Sequence, residues 1–410
     1  MTADVAGLLA SSRWITESTL AGATEAALVA GLCGRLQGLG VALSRVTIGI
    51  DTLHPVVGGR YFTWRHGVGV EPREFGRPDS AEVNAAWQKS PHYHLLQSGA
   101  PSLRCRILAG DNEPREFSVL DELAAAGATD YVAFLTRFGE NAAIGEMDCV
   151  YSSWTTERPG GFNDADIAAL DFLVPELAAA FKNLTVARIA ETLVETYLGR
   201  DAGRRVLKGA IARGIADKIR AVLWFSDLKG FTRLVDTLPP KSIIPLLNDY
   251  ADALVSAAHQ QGGQVLKFIG DGLLATFETG DTVEDCRRAL AAAEDAFCRV
   301  AALNVRRATD NLPTTGFYLA LHVGDVFYGN IGSADRLDFT VIGPAVNEVT
   351  RINGMCRSIE QDLVLSSAFA EAAGPARARL VGLGRYALRG VARPQELFTL
   401  DREGQGRSAE

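Results

Sequence analysis

The chain has 410 residues, 47% hydrophobic and 22% charged, with a formal net charge of -8. This is the balance of a folded protein of two or three domains and excludes a disordered chain. With no long basic block, the charge also argues against a nucleic-acid partner held by electrostatics alone.

The start, MTADVAGLLASSRWITE, lacks the basic end and long apolar run of a signal peptide. No stretch approaches the roughly 18 uninterrupted apolar residues of a membrane span. A soluble cytoplasmic protein without a membrane partner is therefore expected. The six cysteines (33, 105, 149, 286, 298 and 356) form no CxxC pair. They read as free thiols of a reducing compartment rather than a zinc or thioredoxin-like site.

Residues 21–38 have the spacing of a helix. RVTIGID and GGRYFTWRHGVGVE then read as two strands joined by a turn between Pro55 and Gly59. PHYHLL places His92 and His94 two apart. On a strand they would share a face and could hold a metal or haem, whereas in a loop they are ordinary polar residues, the plainer reading. Strand-like runs recur at SLRCRIL, TDYVAFLTRF and DCVYSSWTT, with Cys105 and Cys149 as core thiols. Some five strands with a helix at each end predict an α+β module over about residues 20–185. A long helical stretch follows, with Asn163 or Asp164 at its start, a bend or break at Pro175 and an end at Gly199. Such a stretch between domains is often a dimer-forming connector. GRRVLKGAIARG adds a short helix.

From residue 219 the order is strand, helix, strand, strand, helix, strand, helix. RAVLWFSDL is a strand and PPKSIIPLLNDYADALVSAAHQQGG a helix. QVLKFIG and GLLATFE are strands around a Gly-Asp-Gly turn, followed by the helix VEDCRRALAAAEDAFCRVAALN. FYLALHVGDVFYGNIG reads as a strand pair, PAVNEVTRINGMC as a helix, and GRYALRGVARPQELFTL as a closing hairpin. The expected domains are 1–162, regulatory; 163–218, a dimerising connector; 219–400, catalytic; and 401–410, a flexible tail.

FSDLKGF and FIGDGLL each place an aspartate, Asp227 and Asp271, at a strand end beside glycine. Carboxylates brought together at strand ends suit hard divalent ions that also keep phosphate oxygens. Either aspartate alone would read as a turn residue. FSDLKGFT, VLKFIGDGLLATF, ALHVGDVFYGNIG and FTVIGPAVNEVTRI occur in that order, and together they resemble the class III nucleotidyl cyclase catalytic domain. The resemblance covers roughly residues 219–400 and implies a ferredoxin-like βαββαβ core.

The resemblance assigns Asp227 and Asp271 to two Mg²⁺ or Mn²⁺ ions per active site, with the Leu228 carbonyl touching a metal. The backbone of Leu228, Lys229, Gly230 and Phe231 would lie near the phosphates. Asn347 would orient the ribose, and Arg351 would neutralise charge on the α-phosphate. Lys267 and Thr340 would read adenine, as in the Lys/Thr adenylyl subgroup that includes bicarbonate-responsive cyclases. Guanylyl members typically carry an acidic residue at the position of Lys267. The family usually holds the triphosphate with a Lys in the last hairpin, where this chain offers Arg389 or Arg393. Metal and base residues come from different chains in the family, which implies a head-to-tail homodimer acting on ATP.

The first module is similar to GAF-type sensor domains in element order and position. That implies a small-molecule or ion effector, with a purely dimerising role as the alternative. A guanylyl cyclase and a nucleotide-binding regulatory module remain the other functional readings. A diguanylate cyclase is disfavoured because no GGDEF-like hairpin is found.

Overall fold

The computed structural model describes residues 4–76, 87–107, 116–214, 216–389 and 394–401. The chain divides into two compact units, Met1–Leu193 and Val194–Glu410.

In the first unit, helices α1 (Val5–Leu20) and α2 (Glu25–Gly38) precede strands β1 (Arg45–Asp51), β2 (Val57–Arg65) and β3 (Gly69–Gly76). Helix α3 (Pro91–Ser98), β4 (Ser102–Arg106), α4 (Ser118–Ala125), β5 (Asp130–Arg137), β6 (Cys149–Thr156) and the long α5 (Asp164–Leu198) follow. The sheet order is β3-β2-β1-β6-β5-β4, antiparallel throughout. Side chains alternate with the pleat. Ile48, Phe62, Val132 and Trp154 face Leu32 of α2 and Leu173 and Phe181 of α5. Tyr131, Ala133 and Tyr151 face the other way, towards Leu95 of α3 and Leu120 of α4.

Four sequence expectations change here. A further helix, α1, precedes the first expected one; Asp4 caps its start. GGRYFTWRHGVGVE is not one strand but the β2–β3 hairpin, turning at His66–Val68. His92 and His94 lie on α3, where Ser90 caps the helix and Pro91 fills its first turn. Two residues apart on a helix they diverge: His92 Nε2 meets the Ser152 carbonyl at 3.2 Å, and His94 sits edge-on to Phe117. Burial depresses the His92 pKa. Finally, α5 continues through Pro175, which lies on its exposed side. Asn163 starts it as a reciprocal cap, accepting from the Asp166 amide at 2.9 Å while its own amide donates to Asp166 at 2.7 Å.

Two buried carboxylates tie this unit together. Glu25, 3% exposed, accepts from Arg188 of α5 at 2.8 Å and from Arg60 of β2 at 3.3 Å. Asp130, fully buried, accepts from Arg104 and from the amides of Tyr131 and Phe162.

The second unit contains the end of α5 and a short helix α6 (Arg200–Leu207), then β7 (Ala216–Leu228), α7 (Phe231–Thr237), α8 (Pro240–Gln260), β8 (Gln264–Ile269), β9 (Gly272–Phe277) and α9 (Thr282–Thr309). It closes with β10 (Phe317–Gly332), β11 (Leu337–Ile342), α10 (Pro344–Cys356), β12 (Leu363–Ser366), α11 (Ser367–Ala372), β13 (Leu380–Tyr386) and β14 (Gln395–Leu400). The sheet runs β13-β14-β12-β10-β7-β9-β8, with β11 added to β10. Strand β7 sorts its residues by parity. Val222, Trp224 and Leu228 join α8 and α9, while Leu223 and Phe225 join α10 through Val349, Ile352 and Cys356.

FYLALHVGDVFYGNIG is one 16-residue strand, β10, not a strand pair. Gly324 is not a turn residue. A Cβ there would meet the Ala345 Cβ at 2.5 Å, so the missing side chain lets α10 lie close on the strand. Among the described residues, no helix is long and apolar enough to cross a membrane.

Candidate active site

The two aspartates predicted from the sequence come together at one end of the sheet. Asp227 is the penultimate residue of β7, and Asp271 sits in the turn between β8 and β9. Ser226 pairs with Leu273, which brings that turn against the end of β7. The Leu228 amide donates to Asp271 Oδ2 at 3.1 Å and fixes the second carboxylate beside the first. Burial and the neighbouring Asp271 charge push the Asp227 carboxyl up to about 6, opposed by a hydrogen bond from the Asn353 side chain. Asp227 Oδ1 is buried and has no donor among the described residues.

A buried carboxylate oxygen without a donor, beside a second carboxylate, is the environment that a divalent cation relieves. The residues present therefore fit a metal. Among the described residues no third His, Cys, Asp or Glu joins the pair. Backbone, water or phosphate oxygens would complete the shell. A cavity of about 200 Å³, lined in part by Leu247, Tyr250, Leu254 and Phe268, opens beside the Asp271 turn.

The segment after Asp227 is braced from behind. The Lys229 amide donates to the Gly316 carbonyl at 2.8 Å, and Thr315 Oγ1 donates to the Lys229 carbonyl at 2.7 Å. The Lys229 ammonium is ion-paired with Asp362 and lies 5.1 Å from the centre of the Tyr318 ring. What Lys229 offers at the site is thus its backbone. Gly230, with φ +63°, turns the chain in the left-handed region into α7, which Phe231 opens.

Asn347 and Arg351 occupy α10 at i and i+4, about 40° apart around its axis. Asn347 is exposed and Arg351 half-buried, and neither is hydrogen-bonded or ion-paired among the described residues. Asn353 lies about 200° around the helix from Arg351. It is 4% exposed, and it donates to the Phe225 carbonyl at 3.2 Å. The helix therefore turns one side to Asp227 of its own chain and the pair Asn347 and Arg351 away from it. Beneath it, His322 Nδ1 lies 2.9 Å from Ser366 Oγ and 3.7 Å from Glu348, and burial lowers its pKa.

Lys267 and Thr340 belong to strands β8 and β11. Lys267 follows a bulge, in which Leu266 is the extra residue between the Val265–Ala275 and Lys267–Leu274 pairs. Bulges re-aim side chains. The Lys267 ammonium bonds to Asp338, which is two residues before Thr340 and so on the same face of β11. Thr340 is buried, and its hydroxyl has no hydrogen-bond partner among the described residues. Arg389 is exposed, and Arg393 lies outside the described residues.

Asn353 and Asp338 were not singled out from the sequence. A signal for Asn353 existed: it is a polar residue in the inward series Val349, Ile352 and Cys356. Asp338 carried none, because its partner Lys267 is 71 residues away.

Residues 217–400 match the family model described as the adenylate and guanylate cyclase catalytic domain. An adenylate cyclase of Anabaena cylindrica is 32% identical over 157 residues, 37% of this chain and 30% of that protein. An uncharacterized Mycobacterium tuberculosis protein is 28% identical over 236 residues, 56% of this chain and 41% of that one. The chain thus spans less than half the length of either curated relative. A guanylyl cyclase crystal structure is 27% identical with a TM-score of 0.41, covering 45% of this chain and 93% of that one. Residues 217–400 are a class III adenylyl/guanylyl cyclase catalytic domain.

Proposed function

We propose that the protein is an adenylyl cyclase that converts ATP to 3′,5′-cyclic AMP and pyrophosphate at sites shared by two copies of the chain. The observation that carries this reading is the meeting of Asp227 and Asp271, with Asp227 Oδ1 buried and undonated.

Asp227 and Asp271, with the Leu228 carbonyl, would hold Mg²⁺ or Mn²⁺. When bound, such ions would lower the pKa of the ribose 3′-hydroxyl and offset the triphosphate charge. The 3′-oxygen gives its proton to water and bonds to the α-phosphorus, the bond from that phosphorus to the oxygen bridging to the β-phosphate breaks, and pyrophosphate leaves. The backbone from Leu228 to Phe231 lies against the phosphates, held in place by Thr315 and Gly316. Asn347 orients the ribose, and Arg351 neutralises charge on the α-phosphate as it develops. Arg389 or Arg393 binds the triphosphate.

Lys267 donates to adenine N1, and the Thr340 hydroxyl accepts from the exocyclic amine. Asp338 supports this reading by holding the Lys267 ammonium beside Thr340. Guanine presents a donor where adenine presents N1, so a cation there disfavours GTP. The outward setting of Asn347 and Arg351 on α10 supports a head-to-tail homodimer in which they act on the nucleotide whose metals the partner holds. The first unit, a GAF-like module in this reading, regulates the dimer through an effector and the α5 connector.

The test is product analysis of the purified chain with ATP and with GTP, in Mg²⁺ and in Mn²⁺. Cyclic AMP as the main product is expected. A preference for cyclic GMP overturns the adenylyl reading. No cyclic product under any of these conditions overturns the enzymatic one in favour of a nucleotide-binding module.

A further inference from the structure

Asn353 is a buried amide on a helix that otherwise turns apolar side chains inward. Its neighbours on that side, Val349, Ile352 and Cys356, are fully buried. A buried primary amide has two N–H bonds to place, and leaving either unmade is costly. One goes to the carbonyl of Phe225 at 3.2 Å. Phe225 and Asp227 stand two apart on β7 and so point to the same face of the sheet, the face that α10 covers. Its bond to the Phe225 carbonyl therefore sets the amide beside the carboxylate two residues further on, whose charged form it favours.

We infer that Asn353 is a positioning residue for the metal site: its amide holds the Asp227 carboxylate in the orientation that receives a divalent cation. The inference rests on the proposed metal role of Asp227. The physical reason is directional. A carboxylate at the end of a strand can rotate about its terminal torsion, which is broad. An N–H donor fixed by a second bond to the Phe225 carbonyl selects one orientation, with Oδ1 left free of protein donors. The same amide also ties α10 to β7, so the helix that carries Arg351 on its other side is seated by a contact with the metal carboxylate.

The test is direct Mn²⁺ binding to the full-length chain, read by electron paramagnetic resonance of free Mn²⁺, with thermal unfolding measured in parallel. Asn353→Leu keeps the side-chain volume and removes the amide. Its Mn²⁺ dissociation constant should rise about tenfold, the usual scale for a residue that orients a metal ligand. Cys356→Ala, on the same inward side of α10, loosens packing without touching the carboxylate. It should lower the melting temperature and leave Mn²⁺ affinity within about twofold. Asn353→Ser keeps a donor on a shorter arm and should fall between wild type and Asn353→Leu; it takes over the test if the Leu variant does not fold. Unchanged Mn²⁺ affinity in Asn353→Leu, alongside lost binding in Asp227→Ala, overturns the inference and leaves the cyclase reading standing. Equal weakening in Asn353→Leu and Cys356→Ala also overturns it, because helix seating alone would then explain the effect. A wild-type chain that binds no Mn²⁺ overturns both.

Discussion

Mixing two inactive variants tests the shared site quantitatively. Asp227→Ala removes a carboxylate proposed to hold metal, and Arg351→Ala removes the charge expected at the α-phosphate. Arg351 and Asn353 lie on opposite sides of α10, about 200° apart, and Asn353 faces Asp227 of its own chain. If Arg351 serves the partner's metals, each mixed dimer has one site with both defects and one with neither. Equal co-expression gives about half mixed dimers by random pairing, each with one of two sites intact, so about a quarter of wild-type activity should return. Each variant alone should fall by at least about a hundredfold, as expected when a transition-state charge or a metal ligand is removed. The assay is cyclic AMP formation by doubly tagged, tandem-purified mixed dimers, which should reach about half the wild-type turnover per dimer. Mixed dimers confirmed by mass but no more active than the single variants would refute the argument from the two sides of α10.

Asp51 of β1 accepts from the Tyr151 hydroxyl at 2.7 Å, and burial pushes its carboxyl up to about 6. A raised carboxyl pKa means that the charged form costs stability above pH 6 and that the cost disappears below the unfolded value near 4. Asp51→Asn should therefore stabilise the first unit by about 2–3 kcal/mol at pH 7.5, with the gain shrinking to about 1 kcal/mol at pH 4.5 and gone below about pH 3.5; urea unfolding at pH 7.5 and 4.5 checks this, and a pH-independent gain contradicts it. Gly324→Ala forces a methyl group against Ala345. It should cost about 1–3 kcal/mol and lower turnover, with partial rescue by Ala345→Gly, measured by melting and cyclic AMP assay. Lys267→Ala should reduce kcat/KM for ATP about tenfold or more while narrowing the preference over GTP, since it removes one charged donor; an unchanged ATP to GTP ratio would remove Lys267 from base reading.

The second unit was the more legible in sequence because its signals are local. Asp227 sits at a strand end three residues before Gly230, Asp271 sits between two glycines in a turn, and Asn347 and Arg351 sit at helical spacing after a Pro, so each is legible in the linear sequence. What it missed depends on packing. The glycine of HVGDV looks like a turn in sequence, yet it is there to admit Ala345. The bulge at Leu266 leaves no mark in VLKFIG, because both register choices bury apolar residues. In the first unit, His66–Val68 carries a weaker turn signal than the Pro55–Gly59 stretch, so the β2–β3 hairpin read as one strand. Pro175 looked like a breaker, but on the exposed side of a 35-residue helix the lost hydrogen bond is small against the apolar burial on either side.

Strand β10 also sets a length. Its residue Tyr318 lies opposite Asp227, and its residue Gly329 lies opposite Thr340. Eleven strand residues at about 3.3 Å each make roughly 36 Å of backbone contour along β10 between the residues opposite Asp227 and Thr340, whereas β8 joins the same two regions by a shorter route, through Asp271 and the Lys267–Asp338 bond. The two routes close only if β10 curves, so its residue count sets where β11 meets Lys267. Removing two residues from its middle would preserve the alternation of faces yet shorten that span by about 7 Å. Such a strand tolerates changes of side chain far better than changes of count.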